Sequence, residues 1–540
     1  MEDDKVNIQK SGDNASVVWS TGAGKTDHIE DHGADSGLKR TLGTRHITMV
    51  ALGSSIGMGL WLGSGLSLIQ GGPAAILIGY VIAGSMIWSV SQSMGEMCVM
   101  YPLPSAFVQW TNIFVDPAAG FALGWVYWFS YWVSIATEIQ GLLTVLQFWT
   151  TAVPVAAWIT IWLAVIILIN IGPVRLFGEF EVISSIIKFG WIFVVIISCI
   201  VISAGGAPNH EAIGFRYWNE TRGFTNGFNG FLSVLPTCIF AISGAENAAL
   251  VASETANPRK SMPYAVRSMW VRLALFYIVG ALMVTITVSP FNKDLFGAEG
   301  TNASPYVIAY RLAKLEPLAH MMNAVIFISV LSGASIAGYG GSRTLVGLSQ
   351  IGMAPKYWLQ KTDGLGRPWY ALVPTFVIGG ALSYLNVSNS GPTVFGWFSD
   401  LSSLLALFGW GMICLSHIRM RHAWKTQGRS VEDLSWNAGT FPWAPWWGLV
   451  WCIILILIEF YLSVWPLGVK PGAETFFANY ISVPVIVLLY GGAKLYYRGR
   501  RWVDSSSIDL DESRRFYAPQ DEEESKISFH RRALNYVKHG

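Results

Sequence analysis

Glu138, Lys188, Glu246, Asp400 and Glu459 each fall inside a stretch of sequence that is otherwise apolar. An ionisable side chain at the centre of a membrane helix costs roughly 2.5–3.5 kcal/mol on insertion scales, so each is read first as functional. Groups of this kind, shielded from water, can hold and release a proton or pair with a charged ligand. Lys188 keeps a second reading. About eight residues into its segment, roughly 12 Å along a helix, it could snorkel back to the surface. Glu459 lies outside the presumed core, and Glu96 and Glu254 sit near helix ends, where pairing with a nearby Arg or the backbone is the simpler role. Covalent chemistry is not indicated. The five cysteines (Cys98, Cys199, Cys238, Cys414, Cys452) all lie in apolar segments and show neither metal nor disulfide spacing. No nucleophile–base set, metal site or cofactor motif is expected.

Two polar or glycine-rich interruptions stand out. One is Gly53-Ser54-Ser55-Ile56-Gly57-Met58-Gly59, and the other is Ser243-Gly244-Ala245-Glu246-Asn247. Three glycines in seven residues cost a helix roughly 2–3 kcal/mol. Unwound backbone inside a bilayer is tolerated only where it is buried in protein or lines a cavity. Broken helices at corresponding places in two halves of a chain point to a transporter's binding site. Half-helix N-termini offer N–H donors to a carboxylate, and C-termini offer carbonyls to an ammonium. A zwitterion would satisfy both breaks. Close glycine packing of continuous helices is the competing reading.

The elements that would hold these residues are membrane helices. Hydrophobic residues are 52% of the 540 and charged residues 13%, against roughly 25% charged in soluble proteins. The expected fold class is an all-α membrane protein with about twelve transmembrane helices. Apolar segments run near 47–69, 72–98, 119–150, 154–171, 180–204, 231–253, 272–291, 318–345, 371–389, 393–418, 444–466 and 477–497. With both ends cytoplasmic, the inner connections collect Arg259, Lys260, Arg267, Arg272, Arg419, Arg421, Lys425 and Arg429. The outer ones hold few cations, among them Arg216, Arg222, Lys293 and Lys470, as the positive-inside rule requires. Sequons at Asn219 and Asn302 fall in outer loops.

Residues 1–44 read as a disordered cytoplasmic tail, 45–497 as the helical domain and 498–540 as a solvated cytoplasmic tail. Trafficking or ubiquitination machinery is a candidate partner for the tails, with Lys5, Lys10 and Lys25 as candidate modification sites. STGAGKT (Ser20–Thr26) fails as a phosphate loop, because Trp19 stands where the first Gly is needed. No nucleic-acid partner is expected.

The stretches RHITMVALGSSIGMGLWLGSG, GGPAAILIGYVIAG, GEMCVMYP and ASETANPRKSMPYAV resemble the fungal-type amino acid permeases of the amino acid–polyamine–organocation superfamily. The resemblance spans about 40–500. It implies a LeuT-like five-plus-five inverted repeat, one half at 47–204 and the other at 231–418, with extra helices at 444–497. It implies a multi-pass plasma-membrane symporter that imports amino acids with protons. A receptor on a transporter fold and a proton-independent exchanger are the alternatives.

By the same resemblance Ser54, Ser55, Ile56, Gly57, Met58 and Gly59 would hold the substrate carboxylate. Phe240, Ala241 and Ser243 would offer carbonyls to the ammonium, with Phe240 as an aromatic gate. Glu138 would contact substrate, and Lys188 and Glu246 would serve proton coupling. Asp400, Ser402 and Ser403 are candidates for reading the side chain. Met58 departs from the pattern, since many relatives carry Ser or Thr there.

Overall fold

The computed structural model describes residues 17–18, 28–29, 44–54, 56–255, 257–297, 303–364, 366–387, 391–468, 470–497 and 502–517. Apart from an antiparallel pair, Val17–Val18 with His28–Ile29, the described architecture is helical. The elements are α1 (Thr44–Gly53), α2 (Met58–Trp61), α3 (Gly63–Gly71), α4 (Pro73–Met100), α5 (Ala106–Phe114), α6 (Pro117–Gln147) and α7 (Val155–Ile171). They continue with α8 (Val174–Ser203), α9 (Arg216–Thr221), α10 (Gly227–Ile242), α11 (Asn247–Ala252), α12 (Pro258–Arg272), α13 (Gly280–Thr285) and α14 (Pro305–Leu312). The last are α15 (Glu316–Gln350), α16 (Lys356–Leu359), α17 (Trp369–Ser383), α18 (Gly391–Thr426), α19 (Trp443–Val464), α20 (Ala473–Tyr480) and α21 (Ser482–Tyr496).

Among the described residues, eight helical stretches are long and apolar enough to cross a membrane. The remaining expected segments are also helical. One is broken (α1 to α3), one is the aromatic-rich α6, and two are short (α7 and the α20–α21 pair). Apolar side chains cover outward faces, for example Ile186 and Ile197 on α8, Leu457 on α19 and Leu488 on α21. Such faces on several helices at once suit a lipid surrounding.

Helix starts follow local chemistry. Asp116 accepts the Ala118 N–H at 3.0 Å, and Pro117 supplies the first turn of α6. Asn257 likewise caps α12 through the Lys260 N–H at 3.2 Å. The helix therefore begins at Pro258 and continues through a π-turn (Leu273–Val279) into α13. Hydropathy placed that start near 272, because the first turns are polar. For the same reason α8 begins at Val174 rather than near 180, and α18 runs on to Thr426. The centre is α6 against α15. Small residues allow the approach: a methyl at Gly340 would lie 2.6 Å from the Tyr131 ring.

The C-terminal segment departs from the solvated tail expected at 498–540. Residues 502–517 lie along one end of the bundle. Tyr101 Oη donates to the Leu510 carbonyl at 2.8 Å, the Arg515 N–H to the Met100 carbonyl at 2.9 Å, and Tyr517 Oη to the Val99 carbonyl at 2.7 Å. Leu510 is fully buried. Arg429 holds Asp511 through Nη1 at 2.7 Å and Nη2 at 2.5 Å. These hydrogen bonds, with Arg514 beside them, lower the Asp511 pKa. Docking gains from ionised Asp511 above the free carboxyl's pKa and loses that gain as pH falls through the lowered value, below about pH 4. The pair is half exposed and modest in strength. Asp511→Asn should therefore speed tryptic cleavage at Arg514 and Arg515 of the detergent-solubilised protein by about 2–5-fold at neutral pH. An unchanged rate would show that Asp511 does not hold the segment.

Candidate functional site

The backbone unwinds in the two places the glycines mark. α1 ends at Gly53 and α2 begins at Met58, with Ser54, Ile56 and Gly57 non-helical between them, and the chain is non-helical again from Ser243 until Asn247. The two breaks touch, with Ser54 Oγ donating to the Gly244 carbonyl at 2.8 Å. Gly244 has φ of 96°, open to glycine and strained for other residues. A methyl on Gly59 would lie 2.7 Å from Ala241 Cα, so the approach of α2 to α10 also needs glycine.

Side chains from other helices take up the freed backbone groups. Lys188 Nζ on α8 donates to the Gly53 carbonyl at 3.1 Å. Arg272 on α12 donates to the Ala51 carbonyl. Two cations thus cap the C-terminal end of α1, where the helix dipole is negative. Ser329 Oγ on α15 donates to the Ile56 carbonyl at 3.1 Å and accepts Trp61 Nε1 at 2.9 Å. Glu138 Oε2 on α6 accepts the Met58 N–H at 3.2 Å. That donor was expected to face a ligand carboxylate; here a side-chain carboxylate already occupies it.

The second break is bound by its own acid. Glu246 Oε2 accepts the Gly244 N–H and Trp410 Nε1, both at 3.1 Å, and Oε1 accepts Tyr127 Oη at 2.6 Å. Tyr131 Oη donates to Asn247 Oδ1 at 3.0 Å. Of the carbonyls expected to face an ammonium, Phe240 accepts Ser243 Oγ at 2.7 Å and Ala241 accepts Tyr277 Oη at 2.9 Å. The Phe240 carbonyl also accepts the Ser243 N–H at 3.2 Å, so an ammonium would have to displace one of its two donors. Phe240 packs edge-on against Phe395, with ring centroids 5.5 Å apart.

A cavity of about 70 Å³ sits between the breaks. Ser54, Gly57, Gly59, Glu138, Phe240, Ala241, Ser243, Glu246 and Ser402 line it, with Tyr127, Tyr131, Asn247 and Gly333. Ile56 and Met58 contribute backbone groups but do not line it, and Ser55 lies outside the described residues. Asp400 and Ser403 are also absent from the lining, and Ser403 Oγ donates to Glu459 at 2.8 Å. Lys188 stands behind the first break, fully buried. It is fourteen residues past Val174, about 21 Å along α8, so the snorkelling reading is wrong. Among the described residues no cluster of His, Cys, Asp or Glu could hold a metal.

Sequence reasoning missed Glu181, Ser332 and Gly333. Glu181 is fully buried and accepts Ser332 Oγ at 2.7 Å, while Ser332 Oγ accepts Lys188 Nζ at 3.0 Å. The seven-residue spacing of Glu181 and Lys188, two turns on one helix face, was the available signal. At the far end of the bundle, Glu254 pairs with Arg343 at 2.9 Å, and Glu96 with Arg421 and His417 at 2.7 and 2.9 Å. Both were expected to be structural partners.

The model of the family described as "Amino acid permease" matches residues 46–505. This chain belongs to that family. The amino-acid permease GAP3 of Candida albicans is 38% identical over 483 residues, covering 89% of this chain and 80% of its own. Cationic amino acid transporter 1 of Schizosaccharomyces pombe is 37% identical over 496 residues, covering 91% and 84%. Among solved structures, the nucleobase-cation-symport-1 family transporter Mhp1, closed around bromovinylhydantoin, aligns with 91% of this chain and 99% of its own at 13% identity and a TM-score of 0.45. An amino acid permease is a multi-pass membrane transporter, not an enzyme.

Proposed function

We propose that this permease imports amino acids across the plasma membrane in symport with protons, by alternating access, with both termini cytoplasmic. One observation carries the reading. Two buried titratable side chains hold opposite ends of the same unwound stretch, Lys188 at the Gly53 carbonyl and Glu138 at the Met58 N–H. A change of protonation at either alters the hold on the break that faces the cavity. An incoming carboxylate competes with Glu138 for the N–H groups near Gly57 and Met58. The freed Glu138 then turns to the substrate ammonium, alongside the Phe240 and Ala241 carbonyls. Glu246 keeps the second break in shape through Gly244. Ser402 reads the substrate side chain, a role its position in the cavity lining supports. One proton crossing about 100 mV supplies about 2.3 kcal/mol, and one pH unit about 1.4 kcal/mol. Together these support accumulation on the order of 500-fold.

The test is uptake of labelled amino acids into proteoliposomes under an imposed proton gradient, with each of the twenty as competitor at two pH values. Accumulation that follows the gradient is expected. Uptake indifferent to the gradient would identify an exchanger, and binding without uptake a receptor. Lys188→Ala should reach the membrane yet lose at least about tenfold in gradient-driven uptake, since it removes the charged hydrogen bond to the Gly53 carbonyl, a contact worth roughly 1.5–3 kcal/mol. Unchanged uptake and pH dependence would remove Lys188 from coupling.

A further inference from the structure

Behind the first break, α8 and α15 carry a buried chain of polar groups that substrate binding does not use. Lys188 Nζ donates to Ser332 Oγ at 3.0 Å, and Ser332 Oγ donates to Glu181 Oε2 at 2.7 Å. All three side chains are fully buried. Glu138 stands on the other side of the same α15 turn: a methyl on Gly333 would lie 2.8 Å from its carboxyl carbon. Two carboxyls therefore flank one ammonium.

The other charged groups nearby are engaged elsewhere. On α1, Arg45 and His46 hold Glu179, and on α12 Arg272 donates to Ala51. With both carboxyls ionised the cluster would carry an unbalanced buried charge, which is costly in a dry interior. One added proton makes it neutral. Glu138 has a backbone N–H to stabilise an anion, whereas Glu181 Oε1 is buried and has no hydrogen-bond partner. The proton therefore belongs on Glu181.

We propose that Glu181 is the inner proton station of the transport cycle, loaded from Lys188 through the Ser332 hydroxyl. This rests on the symport reading above. In the transfer, Lys188 gives one proton to Ser332 Oγ while Ser332 gives its own to Glu181 Oε2. An ammonium and a carboxylate become an amine and a carboxylic acid, the hydroxyl is regenerated, and the proton entering with substrate then restores the ammonium, which completes the neutral cluster. The neutral amine holds the Gly53 carbonyl less strongly than the ammonium does, so the transfer loosens the first half of the broken helix. Glu181 lies two turns nearer than Lys188 to the Val174 end of α8. That end carries Arg175, and by the positive-inside rule it is cytoplasmic. The step thus moves the proton in the direction of import.

The experiment separates full turnover from exchange. Wild type, Glu181→Gln and Ser332→Ala are reconstituted with a pH-sensitive dye inside the vesicles. Gradient-driven accumulation, internal acidification and amino acid counterflow are then measured. Counterflow needs the site to open and close but not to release its proton. Both variants are expected to keep counterflow within about threefold of wild type. Both should lose at least tenfold in accumulation and acidification, and their pH dependence should flatten. Wild-type accumulation and acidification in Glu181→Gln would overturn the proposal. So would equal loss of counterflow and accumulation in both variants with thermal stability intact, since that marks a merely structural network. If wild type itself accumulates substrate without acidification, symport fails rather than this assignment within it. Should Glu181→Gln not fold, Ser332→Ala decides alone.

Discussion

Alanine at Gly57 is expected to lower uptake by about 10–100-fold while leaving the protein folded and in the membrane. The added methyl would sit 2.4 Å from Glu138 Oε1 and 3.0 Å from its Cδ. A carboxylate on a flexible stem could ordinarily step aside, but Gly333 closes the opposite side, where a methyl would lie 2.8 Å from the same Cδ. Glu138 thus occupies a slot walled by two glycines. The Gly57 backbone, at φ of −138°, is extended and open to any residue, so the effect is steric rather than conformational. Moving the carboxylate breaks its bond to the Met58 N–H. A hydrogen bond to a charged group is worth roughly 1.5–3 kcal/mol, which sets the expected range. Gly333→Ala should act in the same direction through the other wall. Shortening the acid tests the cause: Glu138→Asp combined with Gly57→Ala should transport better than Gly57→Ala alone. Uptake per surface molecule and melting temperature together measure this. Normal transport by Gly57→Ala would show that the carboxylate's position does not matter.

That slot also shows what the sequence could and could not disclose. Glycines 53, 57 and 59 announce a broken helix, because few other reasons place three so close in an apolar run. Ser243–Asn247 does the same for the second break. Glu138 and Glu246 betray themselves as charges where lipid forbids them. Gly333 and Ser332 give no such signal, since small residues are ordinary where membrane helices pack. Their importance comes only from what faces them across α6 and α8. Glu181 was hidden for a different reason. The opening turns of α8, VRLFGEFE, are polar enough to lower the hydropathy average, so the helix seemed to start after them. The same displacement made Lys188 look shallow. The docked 502–517 segment has neither helical period nor apolar run. It is held by main-chain carbonyls meeting Tyr101, Gln427 and Arg419, a pattern local sequence does not encode.

The largest effect on stability is expected at Glu96, far from the cavity. Its carboxylate is fully buried at the end of α4 and meets three donors. Arg421 Nη2 lies at 3.2 Å, His417 Nε2 at 2.9 Å and the Ala438 N–H at 3.3 Å. Glu96→Gln keeps the shape but leaves Arg421 charged, buried and without a counter-ion, a loss of roughly 3–5 kcal/mol. Arg421→Met should cost less, because Glu96 keeps His417 Nε2 at 2.9 Å and the Ala438 N–H at 3.3 Å. The guanidinium's other contacts, Asn437 Oδ1 at 2.9 Å and the Phe441 ring at 5.1 Å, fix how much the arginine contributes beyond its charge. The double variant removes both charges together. It is expected to be more stable than Glu96→Gln alone by on the order of 2 kcal/mol, the sign of coupling between partners in one network. Thermal unfolding in detergent and surface abundance of the four proteins measure the cycle. Simple additivity would mean that the pair is incidental to how α4 and α18 hold together. Recovery by the double would show that a buried charge must be answered, not that this charge is needed, and transport by that double would separate the bundle's stability from the chemistry at the breaks.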